Sequence, residues 1–178
     1  MNIHQMQVRY LPGPDRVLWQ LRTTEGALYA VWLTRRMLLL IWPPLTKLVT
    51  HRAVAQVLPH ATVVPEAQAM LAQAALERPL PGASFSEPFI AQAQTEPLGP
   101  EPLLPEAVDL GPGEGGQGLQ LQLREPGGRS LGMQLSDDLS TGLLRLLEQA
   151  LASADWGGPF TAATAPQAPG PATPRTLN

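Results

Sequence analysis

A chain of 178 residues carries one domain at ordinary domain sizes and has no room for a catalytic barrel or a two-domain enzyme. Twenty prolines and sixteen glycines make up about a fifth of it, and only 15% is charged, so part of the chain reads as linker and tail. Cysteine is absent, which excludes disulfides, thiolate metal sites and cysteine nucleophiles, and the net charge is −3.

The first fifty residues alternate apolar and polar side chains over about 2–10, 16–23 and 27–33, the period of half-buried strands. Pro12-Gly13-Pro14-Asp15 and Thr24-Glu25-Gly26 supply turn chemistry between them. Thr34 stands where an N-cap belongs, and Met37, Ile41, Leu45 and Leu48 follow at helical spacing. Pro43-Pro44 removes two backbone donors and predicts a kink or restart there. The longest apolar run, Met37 to Leu45, is far short of the ~20 residues of a spanning helix, so no membrane segment is expected. The N-terminus shows no basic-then-apolar secretory pattern, and the expected location is cytoplasmic.

Residues 51–103 read as a connection, since ten prolines fall between Pro59 and Pro112. Within it, Pro65-Glu66-Ala67 opens a short helix over about 66–77, and Phe85 and Phe89 are candidates to pin the rest to the body. Strands then resume, with turns at Gly113 to Gly118 and Pro126-Gly127-Gly128, followed by Ser136 as N-cap and a helix carrying Leu139, Leu143, Leu147 and Ala150 inward. The segment 157–178, with almost no large apolar side chain, is expected to be disordered.

Residue n matches residue n + 102 over 2–49 without a gap. Val17, Trp19 and Leu21 fall on Leu119, Leu121 and Leu123, while Tyr29, Val31 and Leu33 fall on Leu131, Met133 and Leu135. The expected fold is therefore α+β: a duplicated strand-strand-strand-helix unit forming a six-stranded antiparallel sheet with the helices on one face. The first copy takes 2–50 and the second 104–152, within a single domain over 1–156.

The sheet face away from the helices displays Gln5, Gln7, Arg9, Leu18, Gln20, Arg22, Leu28, Ala30 and Trp32, then Gln120, Gln122, Arg124, Ser130, Gly132 and Gln134. Leu18, Leu28 and Trp32 have no apolar counterpart in the second copy. They form either a binding surface or a seat for the folded-back connection, and the second explanation is preferred. Charge divides the copies. Residues 2–49 hold six cations against two carboxylates, a net +4, and residues 104–151 hold three against seven, a net −4. Such halves suit pairing within or between molecules. Arg35-Arg36 aligns with Asp137-Asp138 at the two helix starts. Arginine there opposes the helix dipole, so Arg35 and Arg36 either meet a carboxylate, with Asp137 and Asp138 as candidates, or meet an external anion, or stand as solvated surface arginines.

His4, His51 and His60 lack metal-ligand spacing, no nucleophile or phosphate-loop motif is present, and neither a metal nor a cofactor is expected. The preferred function is a non-catalytic binding or scaffold protein, acting on a protein partner or on itself through Leu18, Arg22, Leu28 and Trp32. The alternative is single-stranded nucleic acid stacked on Trp32, with phosphates at Arg9, Arg22 and Arg124. The duplicated sheet-and-helix architecture is similar to whirly-type single-strand binders, which have four strands per unit and a basic sheet. The stretch Tyr29-Ala-Val-Trp-Leu-Thr-Arg-Arg36, with Trp42-Pro43 following, resembles small uncharacterised proteobacterial proteins, a likeness that implies no activity.

Overall fold

The computed structural model describes residues 1–57, 67, 70, 73–74, 77–80, 87–158 and 160. The first unit comprises β1 (Ile3–Leu11), β2 (Arg16–Thr23), β3 (Leu28–Leu33) and α1 (Arg35–Val57). The second comprises β4 (Ala107–Pro112), β5 (Leu119–Arg124), β6 (Ser130–Leu135) and α2 (Asp137–Leu151). Both units are antiparallel meanders, and their registers coincide at the offset read from the sequence. Val17 faces Leu33 and Leu119 faces Leu135; Trp19 faces Val31 and Leu121 faces Met133; Val8 faces Trp19 and Leu110 faces Leu121. A one-residue slip in either meander would turn its whole apolar set to the other face, so the burial pattern holds both registers.

Period two places Val17, Trp19, Leu21, Val31 and Leu33 on one face of the first sheet, with Leu119, Leu121, Leu123, Leu131, Met133 and Leu135 in the same role on the second. All are buried in one apolar cluster with Met37, Leu38, Ile41, Trp42 and Leu45 of α1 and Leu143, Leu144 and Leu147 of α2. Thr34 Oγ1 accepts the Met37 N–H and Ser136 Oγ accepts the Leu139 N–H, each at 3.2 Å, so both helices begin on their expected caps.

The six strands do not form one sheet. They form two sheets of three, in the orders β1-β2-β3 and β4-β5-β6. The outer edge of β3 is closed to another strand, because it is taken by the connection. The Leu28 N–H donates to Thr95 O at 2.9 Å, the Trp32 N–H to Leu103 O at 2.7 Å, and the Leu103 N–H to Ala30 O at 2.8 Å. Pro97, Pro100 and Pro102 lack donors, so this stretch makes two isolated parallel bridges rather than a strand. Nor do the helices cover one common face: α1 packs against β4, α2 against β1, and the two helices against each other. Each unit thus supplies a helix to the edge strand of the other.

α1 runs unbroken through Pro43 and Pro44 instead of restarting. The bonds that the two prolines forfeit would have gone to the carbonyls of Leu39 and Leu40, one turn earlier, and these residues are exposed, so water can satisfy the carbonyls. Ala67, Met70, Gln73, Ala74 and Glu77 are helical; the rest of the short helix expected over 66–77, and Phe85, lie outside the described residues. At the start of the segment expected to be disordered, Phe160 is buried, with its ring 5.7 Å from Trp42 and nearly perpendicular to it. Residues 161–178 lie outside the described residues.

Candidate functional site

The outer face of the first sheet is crossed by the chain itself. Gln5, Arg22 and Leu28 form one row across β1, β2 and β3, and residues 88–92 lie along it. Gln5 grips this stretch at both ends of its amide, donating to Pro88 O at 3.4 Å and accepting the Ile90 N–H at 3.1 Å. The Arg22 guanidinium donates to Ile90 O at 3.2 Å and to Gln92 O. The stretch then turns onto the sheet edge, where the Gln94 N–H reaches Gly26 O at 3.0 Å. Leu18 and Leu28 are buried and Trp32 and Phe89 half-buried, so most of the apolar group found in the sequence is removed from solvent. Only Arg9 of this set is exposed and without a hydrogen-bond partner among the described residues.

A clamp on the second unit holds the same connection from its other side. Arg129 donates to both carboxylate oxygens of Glu125 at 2.6 and 2.8 Å and to the carbonyls of Leu98 and Glu101, each at 2.9 Å. Glu125 also accepts the Leu104 N–H at 3.2 Å. The Arg129 guanidinium first, and the Leu104 amide after it, hold the Glu125 carboxyl below the usual carboxylate range.

The outer face of the second sheet has the same register and a different surface. Arg124 is the counterpart of Arg22, Gln122 of Gln20, Gln120 of Leu18 and Gln134 of Trp32. Gln120, Arg124, Ser130, Gly132 and Gln134 are exposed, and among the described residues Arg124 bonds only the exposed carboxylate of Asp109. Alongside β6 lies an open groove of about 730 Å³, between Met1, Gly132, Met133 and Gln134 and the Gln117–Gly118 and Ser136–Asp137 corners. The faces differ where the chain lies over the first: Leu18, Leu28 and Trp32 stand there, and their counterparts Gln120, Ser130 and Gln134 on the second sheet are exposed.

The structure therefore does not bring Arg9, Arg22 and Arg124 together. Arg22 is spent on main-chain carbonyls, Arg124 belongs to the other sheet, and Arg9 shares a row with Leu18 and Trp32. The expected meeting of Arg35 and Arg36 with Asp137 and Asp138 does not occur either. Asp137 pairs with Arg52, near the far end of α1, and also accepts the Gly118 N–H at 3.1 Å, while Arg52 reaches Gly116 O. The unbroken path of α1 through its prolines is what delivers Arg52 to the start of α2, where a carboxylate is favoured by the helix dipole. Asp138 stays exposed; among the described residues Arg36 reaches only Glu106 O, at 3.5 Å. Arg35 instead lies near Asp15, whose carboxyl accepts the Tyr10 hydroxyl at 2.7 Å and the Trp156 indole N–H at 2.6 Å and is held below its usual range mainly by these two bonds.

Among the described residues no group of three or more histidines, aspartates or glutamates is placed to hold a metal ion, and no helix is long and apolar enough to cross a membrane. No protein-family model, no curated protein and no solved structure matches the chain. Sequence reasoning missed Arg52 and the role of Gln5. It did contain the signal for the Arg22–Arg124 correspondence, since the two stand 102 residues apart in matching strands.

Proposed function

We propose that the protein is a non-catalytic binding module that holds an extended stretch of partner main chain on the outer face of its second sheet. The observation that carries this reading is the use the first sheet makes of the Arg22 position, where the guanidinium binds the carbonyls of Ile90 and Gln92; the row neighbour Gln5, which grips the same stretch, has Ala107 as its counterpart. Arg124 is the counterpart of Arg22 and is exposed, with no main-chain carbonyl bonded to it among the described residues, and Gln120, Gln122 and Gln134 offer amides, each able to donate and accept, to a passing backbone. A glutamine-lined face suits a partner that is bound and released in water, because it exposes no large apolar patch in the free state.

The test is a pull-down from extract of the source cells with wild-type protein and with the Gln122→Ala, Arg124→Ala double variant, analysed for polypeptide and nucleic acid. Polypeptides enriched on the wild type and lost on the variant are expected. Enrichment that is absent, or indifferent to the two substitutions, overturns the reading. Salt-sensitive binding of a labelled single-stranded oligonucleotide in place of polypeptide would transfer the face to nucleic acid.

A further inference from the structure

We infer that the open edge of β6 is a strand-addition site for a basic, extended polypeptide segment running parallel to β6, an inference that rests on the second sheet being a polypeptide-binding surface. The two sheets share one register, so their outer edges present the same backbone groups. On β3 these are the N–H of Leu28, the C=O of Ala30 and the N–H of Trp32, all satisfied by Thr95 and Leu103. On β6 the counterparts are the N–H of Ser130, the C=O of Gly132 and the N–H of Gln134, and none has a backbone partner among the described residues. Met1 is the counterpart of Leu103. Leu103 is fully buried and bonded to β3 on both sides, whereas Met1 is half exposed and only borders the groove beside β6.

An unpaired strand edge is a template for another strand, and proteins usually protect it with charge, proline or a bulge. β6 reads Ser-Leu-Gly-Met-Gln-Leu and has none of these. The molecule itself shows what its edge frame accepts. Between Thr95 and Leu103 the bound stretch includes Pro97, Pro100 and Pro102, so the occupant need pair only at intervals, and it runs in the direction of the strand.

Charge selects among extended segments. Among the described residues the arginines bordering the second sheet are bonded to carboxylates: Arg52 to Asp137, Arg124 to Asp109 and Arg129 to Glu125. Glu114, in the turn between β4 and β5, and Asp138, at the start of α2, are exposed and have no ion pair among the described residues. Both lie by the Gln134 end of β6, so cations immediately C-terminal to the pairing residues of a parallel segment meet two free carboxylates. A second copy of the chain fits less well, since pairing β6 with β6 brings together two units that each carry −4.

The probe is a labelled synthetic peptide copying Gln92 to Leu104, with Glu96 and Glu101 replaced by lysine and two arginines added at its C-terminus. It is titrated into the whole protein by fluorescence anisotropy, beside the unaltered acidic copy. The basic peptide is expected to bind at least about tenfold more tightly than the acidic one, and more weakly as salt rises. Gln134→Pro removes an N–H that points away from β5, so it should keep the circular-dichroism spectrum of the wild type and lose about tenfold in peptide affinity. The Glu114→Lys, Asp138→Lys protein, whose edge is intact, should reverse the preference between the two peptides. Failure of the basic peptide to bind, equal binding by the Gln134→Pro protein, or an unreversed preference overturns the inference. So does a dimer of the free protein that Gln134→Pro converts to monomer, which would assign the edge to a second copy. Binding that persists in the Gln122→Ala, Arg124→Ala protein while that protein keeps its pull-down partners removes the outer-face reading and leaves the edge standing.

Discussion

Arg22 and Arg124 occupy the same place in two meanders of the same register, yet their substitution should have very different consequences. Arg22 is half-buried and joins two carbonyls of a segment that has few other bonds to the sheet. A hydrogen bond from a charged donor contributes ~1.5–3 kcal/mol when well shielded, and partial exposure of Arg22 reduces the pair together to about 1–2 kcal/mol. Arg124 bonds one carboxylate, with side chains 49% and 65% exposed, where a surface ion pair contributes ~0–1 kcal/mol. Arg22→Ala should therefore lower the urea-unfolding free energy by about 1–2 kcal/mol, a fall in Tm of roughly 3–8 °C, and Arg124→Ala should leave both nearly unchanged. Amide hydrogen exchange at Ile90 and Gln94 supplies the local readout, since Arg22→Ala should speed it while Arg124→Ala should not. Equal losses from the two substitutions, or unchanged exchange at Ile90 in Arg22→Ala, would refute the reasoning that one face is covered and the other is open.

Phe160→Ala should destabilise the protein by about 3 kcal/mol in urea unfolding, because the ring is buried against Trp42 and Trp156; a change below about 0.5 kcal/mol would detach Phe160 from the core. Gly118→Ala should cost at least about 2 kcal/mol, since its φ is +66° and a Cβ would stand 2.2 Å from the Leu135 carbonyl oxygen, a backbone atom fixed in β6. Gly132→Ala meets only the mobile end of the Gln122 side chain and should stay within about 1 kcal/mol of wild type by the same assay. The pH dependence follows from Asp15, whose carboxyl is lowered in the folded state by Tyr10 and Trp156. Its stabilisation is present above the unfolded carboxylate value of ~3.9 and lost as pH falls through the lower folded value. The difference in Tm between wild type and Asp15→Asn should accordingly be largest near neutrality and close at acid pH, and a gap that widens on acidification would contradict the sign.

The covering of the first sheet also bears on how the two units differ in surface while sharing one register. In the first, the outer face is a second buried layer: Leu18 and Leu28 are buried, and Gln5 and Arg22 bond the main chain above them. In the second, the corresponding positions are Gln120, Ser130, Ala107 and Arg124, and the outer edge of β6 has no backbone partner among the described residues. In the second unit Arg124 and Arg129 are held in ion pairs, while the exposed Glu114 and Asp138 have none among the described residues.

By itself the sequence determined the elements and their pairing partners within each unit. Alternation over two residues, turn chemistry at Pro12 to Asp15 and at Pro126 to Gly128, and the Thr34 and Ser136 caps are local properties, so they are legible in the chain and recur at an offset of 102 in both meanders. What only the tertiary structure decided was how the units meet. Whether β3 pairs with another strand or with Thr95 and Leu103, whether α1 survives Pro43 and Pro44 to bring Arg52 to Asp137, and which sheet face the connection covers all depend on contacts between residues tens of positions apart. Such contacts are chosen by edge availability and burial in the assembled molecule, which no local pattern encodes. For that reason the apolar trio Leu18, Leu28 and Trp32 drew attention to the face that is covered, and the open face and edge lay in the plainer residues Gln122, Arg124, Ser130, Gly132 and Gln134.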